Sequence, residues 1–428
     1  MNDTMLKIGG VSVDQLANTY QTPLYIYDED KIRQKLQAFR SHFRSSNFQT
    51  EVLYASKAFS CMAMVRLVQE YGCCLDVVSG GELYTAKQAG FPMDRVYFHG
   101  NNKSYEELKM AFDYGVKAII MDNEMECAAI LKLANQYKKE MNVMLRVNPG
   151  VEAHTHKYIV TAHLDSKFGI SIHEKETIAQ MLQAVQASNY VNFLGFHSHI
   201  GSQIFDVNAY VTEIKTLFAF LKEMQDTYGI QTSALNLGGG FAAYYTEEDQ
   251  PIPVDLVCQT IIETCQQMKD EFQLDVHTLM IEPGRSIVAE AGSTLYRVGY
   301  LKKTKNKQYV FVDGGMSDNI RPALYQANYA CDIANRMNEE KVMDVTVAGK
   351  CCESGDILIE HANLPQVHEQ DLLIVYTTGA YGYSMASNYN RLTRPAVVFV
   401  KDGHARVVIK KETYKDLLAC EMVETVTD

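Results

Sequence analysis

No stretch of the chain approaches the roughly 18 consecutive apolar residues of a membrane-crossing helix, so no such span is expected. Basic residues are in deficit: 40 Lys+Arg against 52 Asp+Glu leave a formal net charge of −12. An acidic surface repels phosphate backbones, which argues against a nucleic acid or an anionic membrane as partner. Cysteine is sparse, ten in 428 residues, with no Cys-x-x-Cys pair and two adjacent doublets, Cys73-Cys74 and Cys351-Cys352. That is too few for a disulfide scaffold and points to a reducing cytoplasm. Met1-Asn2-Asp3-Thr4 has neither the basic start nor the apolar run of a secretory signal, in line with a cytoplasmic location. Long linkers, motif-level repeats and low-complexity tracts are missing as well. With 47% hydrophobic and 21% charged residues, the chain reads as a folded globular protein of one large or two ordinary domains.

What is present is an alternation of short apolar runs with segments of helical spacing. The runs are Val52–Ala55, Cys74–Val78, Arg95–Phe98, Lys117–Met121, Val143–Val147, Asn192–Phe196, Ala234–Leu237 and Thr278–Ile281. Between them, Glu124–Lys139 places apolar residues three and four apart, and Tyr105–Tyr114 follows Ser104, a good N-cap. Eight such units predict an α/β chain forming a (β/α)8 TIM barrel, because parallel strands need helical crossovers and eight strands close a ring. A doubly wound open sheet is the alternative, disfavoured because no dinucleotide fingerprint follows the first strand. After about Arg285 the crossover helices stop. Gln308–Val312, Val342–Val347 and Leu372–Thr377 read as strands, and Pro395–Val400 and Ala405–Ile409 flank a hairpin signal, Asp402-Gly403. A second, mainly β domain is therefore expected in the C-terminal third, joined by the N-terminal strand Leu24–Tyr27. The expected boundaries are 1–30 for the N-terminal segment, 31–285 for the barrel and 286–428 for the β domain.

Barrel enzymes place their chemistry at the carboxyl ends of the strands. Strand one runs into Tyr54-Ala55-Ser56-Lys57-Ala58, where a lysine in an apolar run would point into the barrel mouth and desolvation would favour the nucleophilic free amine. An isolated lysine of this kind is more often merely snorkelling or salt-bridged. Strand six ends in His197-Ser198-His199-Ile200-Gly201-Ser202; histidines at i and i+2 share a face, which is also a metal-ligand spacing. A metal-dependent barrel hydrolase using His197 and His199 is the rival from another class, although strands seven and eight offer glycines and a glutamate rather than further histidines. Strand seven ends in Gly238-Gly239-Gly240, whose N–H groups can form an anion nest; no Gly-Lys-Ser/Thr follows, so it is not a nucleotide P-loop. Strand eight ends in Glu282-Pro283-Gly284-Arg285, a carboxylate followed by a turn that can meet an anion. A lysine, a histidine able to stack, a phosphate nest and a carboxylate together describe a pyridoxal 5'-phosphate site without a metal.

In these four segments the sequence resembles the alanine-racemase-like pyridoxal-phosphate decarboxylases, from about Pro23 to about Pro395. The resemblance implies that Lys57 holds the cofactor, His199 stacks on its ring and Glu282 pairs with the ring nitrogen. Ser202, Gly238, Gly239, Gly240, Gly284 and Arg285 would surround the phosphate. Within the group, the β-domain segments resemble those of members acting on meso-2,6-diaminopimelate to make L-lysine. These segments are Asp313–Met316 leading into Arg321–Tyr325, Cys352–Asp356 and Gly379–Gly382. The resemblance assigns substrate binding to Arg285, Arg321, Tyr325, Glu353 and Tyr381, with Tyr381 also touching the cofactor. It makes Cys352 the proton donor, with Lys57 as the alternative. It further implies a homodimer in which the Cys352-Glu353 segment enters the neighbouring subunit's site. Relatives acting on ornithine, lysine or carboxynorspermidine are the alternative; ornithine enzymes lack a counterpart of Arg321 and have aspartate at the position of Glu353. Two stretches depart from the family's form: Lys350 stands where a proline is expected, and Arg391–Pro395 is unusual. Neither carries a chemical role. The remaining thiols, Cys351 included, read as small buried hydrophobes.

Overall fold

The computed structural model describes residues 5–151 and 166–422. Met1–Thr4, the segment that bears on a signal, lie outside them. Eight parallel strands form a ring: Gln49–Ala55, Cys74–Val77, Val96–Phe98, Ala118–Met121, Met141–Asn148, Val191–His197, Ala234–Asn236 and Thr278–Ile281. The eighth returns to the first in register, Thr278 opposite Gln49 through Ile281 opposite Val52. That closing pair makes the sheet a barrel, as expected, and excludes the open sheet.

The helices between strands carry the signals their sequences announce. Ser104 and Glu107 form a capping box at the start of Tyr105–Tyr114, and Gly115 ends it in the left-handed region at φ 71°. The next helix, Glu124–Tyr137, stops two residues short of the expected Lys139. Lys138 there turns left-handed at φ 49° and its N–H bonds back to Ala134.

The barrel interior is filled from the strands themselves: Leu53, Cys74, Tyr97, Ala118, Ile120, Met144, Ala234 and Met280 form one buried cluster, with Leu194 packed on it. Side chains two apart on a strand share a face, so the next inward positions toward the carboxyl ends follow at once. They are Asp76, His99, Asp122, Arg146, Asn236 and Glu282. An apolar plug is thus capped, at the end where barrels do chemistry, by a mostly polar layer, to which strand one adds the small apolar Ala55.

The chain divides into two compact units. One consists of Arg33–Ala243 and Gln250–Ile287 and contains the barrel. The other takes the N-terminal segment through Ile32, Tyr244–Asp249 and everything from Val288 onward. Its sheet runs in the order Ile357–Leu364, Met343–Ala348, Gln308–Val312, Gly292–Lys303, Leu24–Asp28, Ala396–Lys401, His404–Ile409. The N-terminal strand lies inside it, antiparallel to Gly292–Lys303 and parallel to Ala396–Lys401. Leu24, Ile26, Leu295, Ile374 and Val398 pack in its core. Asp402 and Gly403 turn the last hairpin with φ 50° and 75°, the pair of positive values such a turn demands. Gly292–Lys303, Cys331–Ile333 and Ile357–Leu364 were not expected as strands. Their apolar signal is diluted: Tyr300–Lys303 and Glu360-His361 face solvent.

Candidate active site

Glu282 is the centre of the polar layer. Its Oε1 accepts a hydrogen bond from Asn236 Nδ2 at 2.7 Å, and His197 Nε2 lies 3.2 Å from Oε2. His99 Nε2 comes within 3.0 Å of Oε1. Burial alone would push this carboxyl up, but His99 and His197 beside it hold it well below the usual range, so Glu282 is an anion. Asp76, 3.8 Å from His99, is pushed the other way, to about 6, by burial, with His99 opposing and the charge on Glu282 adding to the rise. Burial also lowers both strand-six histidines, His197 to about 4 and His199 well below its ordinary value; the charges on Lys57 and Arg146 add to the effect on His199.

Around this centre the strand ends are drawn close. Gly284 packs against strand one so tightly that a Cβ there would lie 2.9 Å from the Cβ of Ala55. The Ala55 N–H also donates to Pro283 O at 3.2 Å. The turn bearing Lys57 therefore sits beside the turn bearing Arg285. Arg285 donates to Ser202 Oγ from Nη2 at 2.9 Å and from Nε at 3.3 Å, tying strands six and eight. Any side chain on Gly239 would meet Glu282 O at 2.4 Å, and one on Gly240, at φ 94°, would meet Ile204 at 2.6 Å. The N–H groups of the first two glycines are used inside the rim: Gly238 donates to Asn236 Oδ1 at 3.0 Å and Gly239 to His199 Nδ1 at 3.1 Å. Among the described residues, no hydrogen bond within the chain engages the N–H of Gly240, the member of the triplet available to an anion.

The other expected residues lie in the β-rich unit and are described there. Arg321 opens the short helix Arg321–Tyr325 and is buried; its Nε donates to Tyr329 Oη at 3.0 Å. Its guanidinium lies over the rings of Tyr325 and Tyr381, 5.2 and 5.3 Å from their centroids. Cys352 and Glu353 are both exposed. The Cys352 N–H donates to Asn390 Oδ1 at 2.6 Å, and Tyr389 Oη donates to Glu353 Oε2 at 3.3 Å. Buried Asp356 anchors this segment, accepting from Cys351 N at 2.7 Å with one oxygen and from Met316 N at 2.6 Å with the other.

Three expectations are corrected. The apolar run at Lys57 does not continue as strand: it ends at Ala55, Ser56–Ala58 is a 3₁₀ turn, and Lys57 is exposed. Among the described residues, none desolvates this amine, whose charge is instead felt by Asp76, Glu82 and His199. His197 and His199 do not converge as a ligand pair, since one meets Glu282 and the other a backbone N–H. Cys420 is exposed because it follows the terminal helix Tyr414–Leu417, none of whose residues is buried. Asp76, His99, Arg146 and Asn236 went unrecognised. Each is a single polar residue within or just after an apolar run, two positions beyond a core residue, a spacing that tells nothing until ring closure sets which face is inward.

Residues 29–289 match the family model described as the pyridoxal binding domain of pyridoxal-dependent decarboxylases. The diaminopimelate decarboxylase of Bacillus subtilis (strain 168) is 50% identical, over 97% of this chain and 95% of its own. The chain belongs to the diaminopimelate decarboxylase family. The Staphylococcus aureus (strain COL) member is 45% identical over 96% of each chain. In structure, the M. jannaschii diaminopimelate decarboxylase in complex with L-lysine superposes with TM-score 0.92 at 34% identity, over 99% of this chain and 97% of that one. The protein is accordingly a carboxy-lyase that uses pyridoxal phosphate. Its residues fit that group. An anionic carboxylate stands buried at the centre of the rim, a lysine on the adjoining turn, and a Ser202–Arg285 pair beside glycines whose surroundings admit no Cβ.

Proposed function

We propose that this enzyme removes the carboxylate of the D-centre of meso-2,6-diaminopimelate, yielding L-lysine and carbon dioxide. The observation that carries the substrate choice is Arg321. It is buried, held by Tyr329 at Nε and bracketed by two tyrosine rings. That fixes the Nη edge as a fork for a carboxylate far from the reacting carbon. Glu353 supplies the counter-charge for the distal ammonium, and Arg285, Tyr325 and Tyr381 complete the substrate contacts.

On this reading Lys57 Nζ would anchor the cofactor, His199 would cover one face of its ring and Glu282 would pair with its nitrogen. Ser202, Arg285, Gly284 and Gly238–Gly240 would hold its phosphate. When bound, the cofactor supplies an electron sink for the pair left on carbon as carbon dioxide departs. A proton must then reach that carbon, and Cys352 Sγ delivers it, with Lys57 Nζ as the alternative donor. Glu282, kept anionic by its histidines, would favour a protonated ring nitrogen. The exposed, internally braced Cys352-Glu353 segment supports a homodimer in which each subunit completes its partner's site. The ten free thiols fit a reducing cytoplasm.

A substrate panel followed by product analysis tests the proposal. Meso-diaminopimelate should be consumed with release of L-lysine, and Lys57→Ala should abolish both turnover and the visible absorbance band that borohydride removes from wild type. Equal efficiency with lysine or ornithine, or a persisting reducible band in Lys57→Ala, would contradict it.

A further inference from the structure

We propose that His197, Asn236 and His99 are positioning residues that hold Glu282 in one orientation, with Oε2 turned to receive the cofactor's ring nitrogen. This rests on the reading of Glu282 given above and assigns its two oxygens different tasks.

Each carboxylate oxygen has two lone pairs. Oε1 is crowded on the protein side: Asn236 Nδ2 bonds it at 2.7 Å, and His99 Nε2, without the alignment of a hydrogen bond, stands 3.0 Å away and blocks the approach of another donor. Among the described residues, Oε2 has His197 Nε2 alone, at 3.2 Å, and keeps one lone pair for another donor.

The protonation pattern of His197 follows from its neighbours. A neutral imidazole has a single N–H. His197 is 1% exposed, and among the described residues its Nδ1 has no hydrogen-bond partner. Placing the proton on Nδ1 would bury an unmatched donor and leave Nε2 lone pair facing Glu282 Oε2. The proton therefore sits on Nε2 and donates to Oε2. Burial, which keeps this ring neutral, agrees with that pattern. His99 braces the ring from the side, edge-on at 4.9 Å between centroids and 76° between planes. Strands three, six and seven thus each contribute one group to a carboxylate on strand eight.

A carboxylate held this way meets the ring nitrogen without first being ordered, so the nitrogen's contribution to affinity depends on the brace. The test compares binding of pyridoxal phosphate and of its 1-deaza analogue, which has carbon in place of the ring nitrogen, to protein stripped of cofactor. Affinities are read from absorbance titrations, with folding checked by circular dichroism. Wild type should prefer the nitrogen-containing ring. In His197→Asn, whose amide cannot reach Oε2, that preference should shrink roughly 10- to 100-fold. In His197→Gln, whose amide N–H lies near the Nε2 position, most of it should return. Should His197→Asn not fold, Asn236→Ser, which withdraws the bond to Oε1, takes its place with the same expected loss. A wild type without any preference would overturn the pairing of Glu282 with the ring nitrogen itself. An undiminished preference in the variants, or equal weakening of both ligands, would overturn the positioning role alone.

Discussion

Replacing Arg321 by methionine isolates the interaction on which substrate choice turns. Methionine keeps much of the side chain's length and apolar contact with Tyr325 and Tyr381 while deleting the charge. Arg321 is only 6% exposed, so most of its desolvation precedes the arrival of substrate. Its Nε is committed to Tyr329, and among the described residues no hydrogen bond within the chain engages Nη1 or Nη2. A distal carboxylate bonded by both would lose about 2–5 kcal/mol on substitution, roughly 30- to several-thousand-fold in kcat/KM for meso-diaminopimelate. Lysine has no distal carboxylate, so the slow background turnover of lysine should stay within about threefold of wild type. The assay is carbon dioxide release measured for both substrates at matched cofactor saturation. Tyr329→Phe provides the graded control: it leaves the fork but frees Nε, and should cost about tenfold on diaminopimelate. If Arg321→Met lowers both substrates alike, the arginine serves the fold and the specificity argument fails.

Three further outcomes are expected. Asp356→Ala leaves the Met316 and Cys351 N–H groups unmatched and should lower stability by about 2–5 kcal/mol in urea titrations, with Asp356→Asn losing about half as much. Glu213, fully buried on the helix Val207–Tyr228 and bonded by Ser198 Oγ, is pushed up to about 8 by burial. Its raised value means the folded state binds the extra proton, so stability should fall as pH rises from about 4.5 toward 8; Glu213→Gln should flatten that slope in thermal melts across this range. Mixing inactive Lys57→Ala and Glu353→Ala chains should restore up to about a quarter of wild-type activity through hybrid dimers with one intact site; no recovery after proven subunit exchange would speak against shared sites.

The barrel was legible because each buried parallel strand is a four- or five-residue apolar run, and the observed strands fall on the expected runs to within three residues. The rim was only half legible. Lysine, paired histidines, glycines and glutamate at strands one, six, seven and eight announce themselves by type and grouping. Asp76, His99, Arg146 and Asn236 are solitary, and nothing local says whether such a residue faces inward until ring closure sets the face. Lys57 misled in the opposite sense. Ser56 and Ala58 keep the run looking like strand, yet the chain leaves the sheet at Ala55, and no residue type marks that exit. The bond from Tyr329 to Arg321 was equally hidden, spanning eight residues that share no regular period. The long strand Gly292–Lys303 escaped notice because it is buried at one end and solvated at the other, so neither an alternating nor a continuous pattern survives along its length.

The strand Leu24–Asp28 has its two neighbours at Gly292–Lys303 and Ala396–Lys401. On the ribosome it emerges early and must then wait for some 370 further residues before both of its edges can be covered. Until Gly292–Lys303 emerges, Leu24-Tyr25-Ile26-Tyr27, a β-favouring and uncharged stretch, is an adhesive segment with neither neighbour to pair with, and one of its edges stays open until Ala396 follows. The barrel can close in the meantime, since all eight of its strands lie between residues 49 and 281. Biogenesis is thereby ordered: the cofactor-binding half is finished first, and the opening residues are tucked in only by the closing ones. Conditions that slow release of the last strands, such as ribosome stalling or C-terminal truncation before Ala396, should yield a chain whose barrel is complete but which aggregates through its own N-terminus.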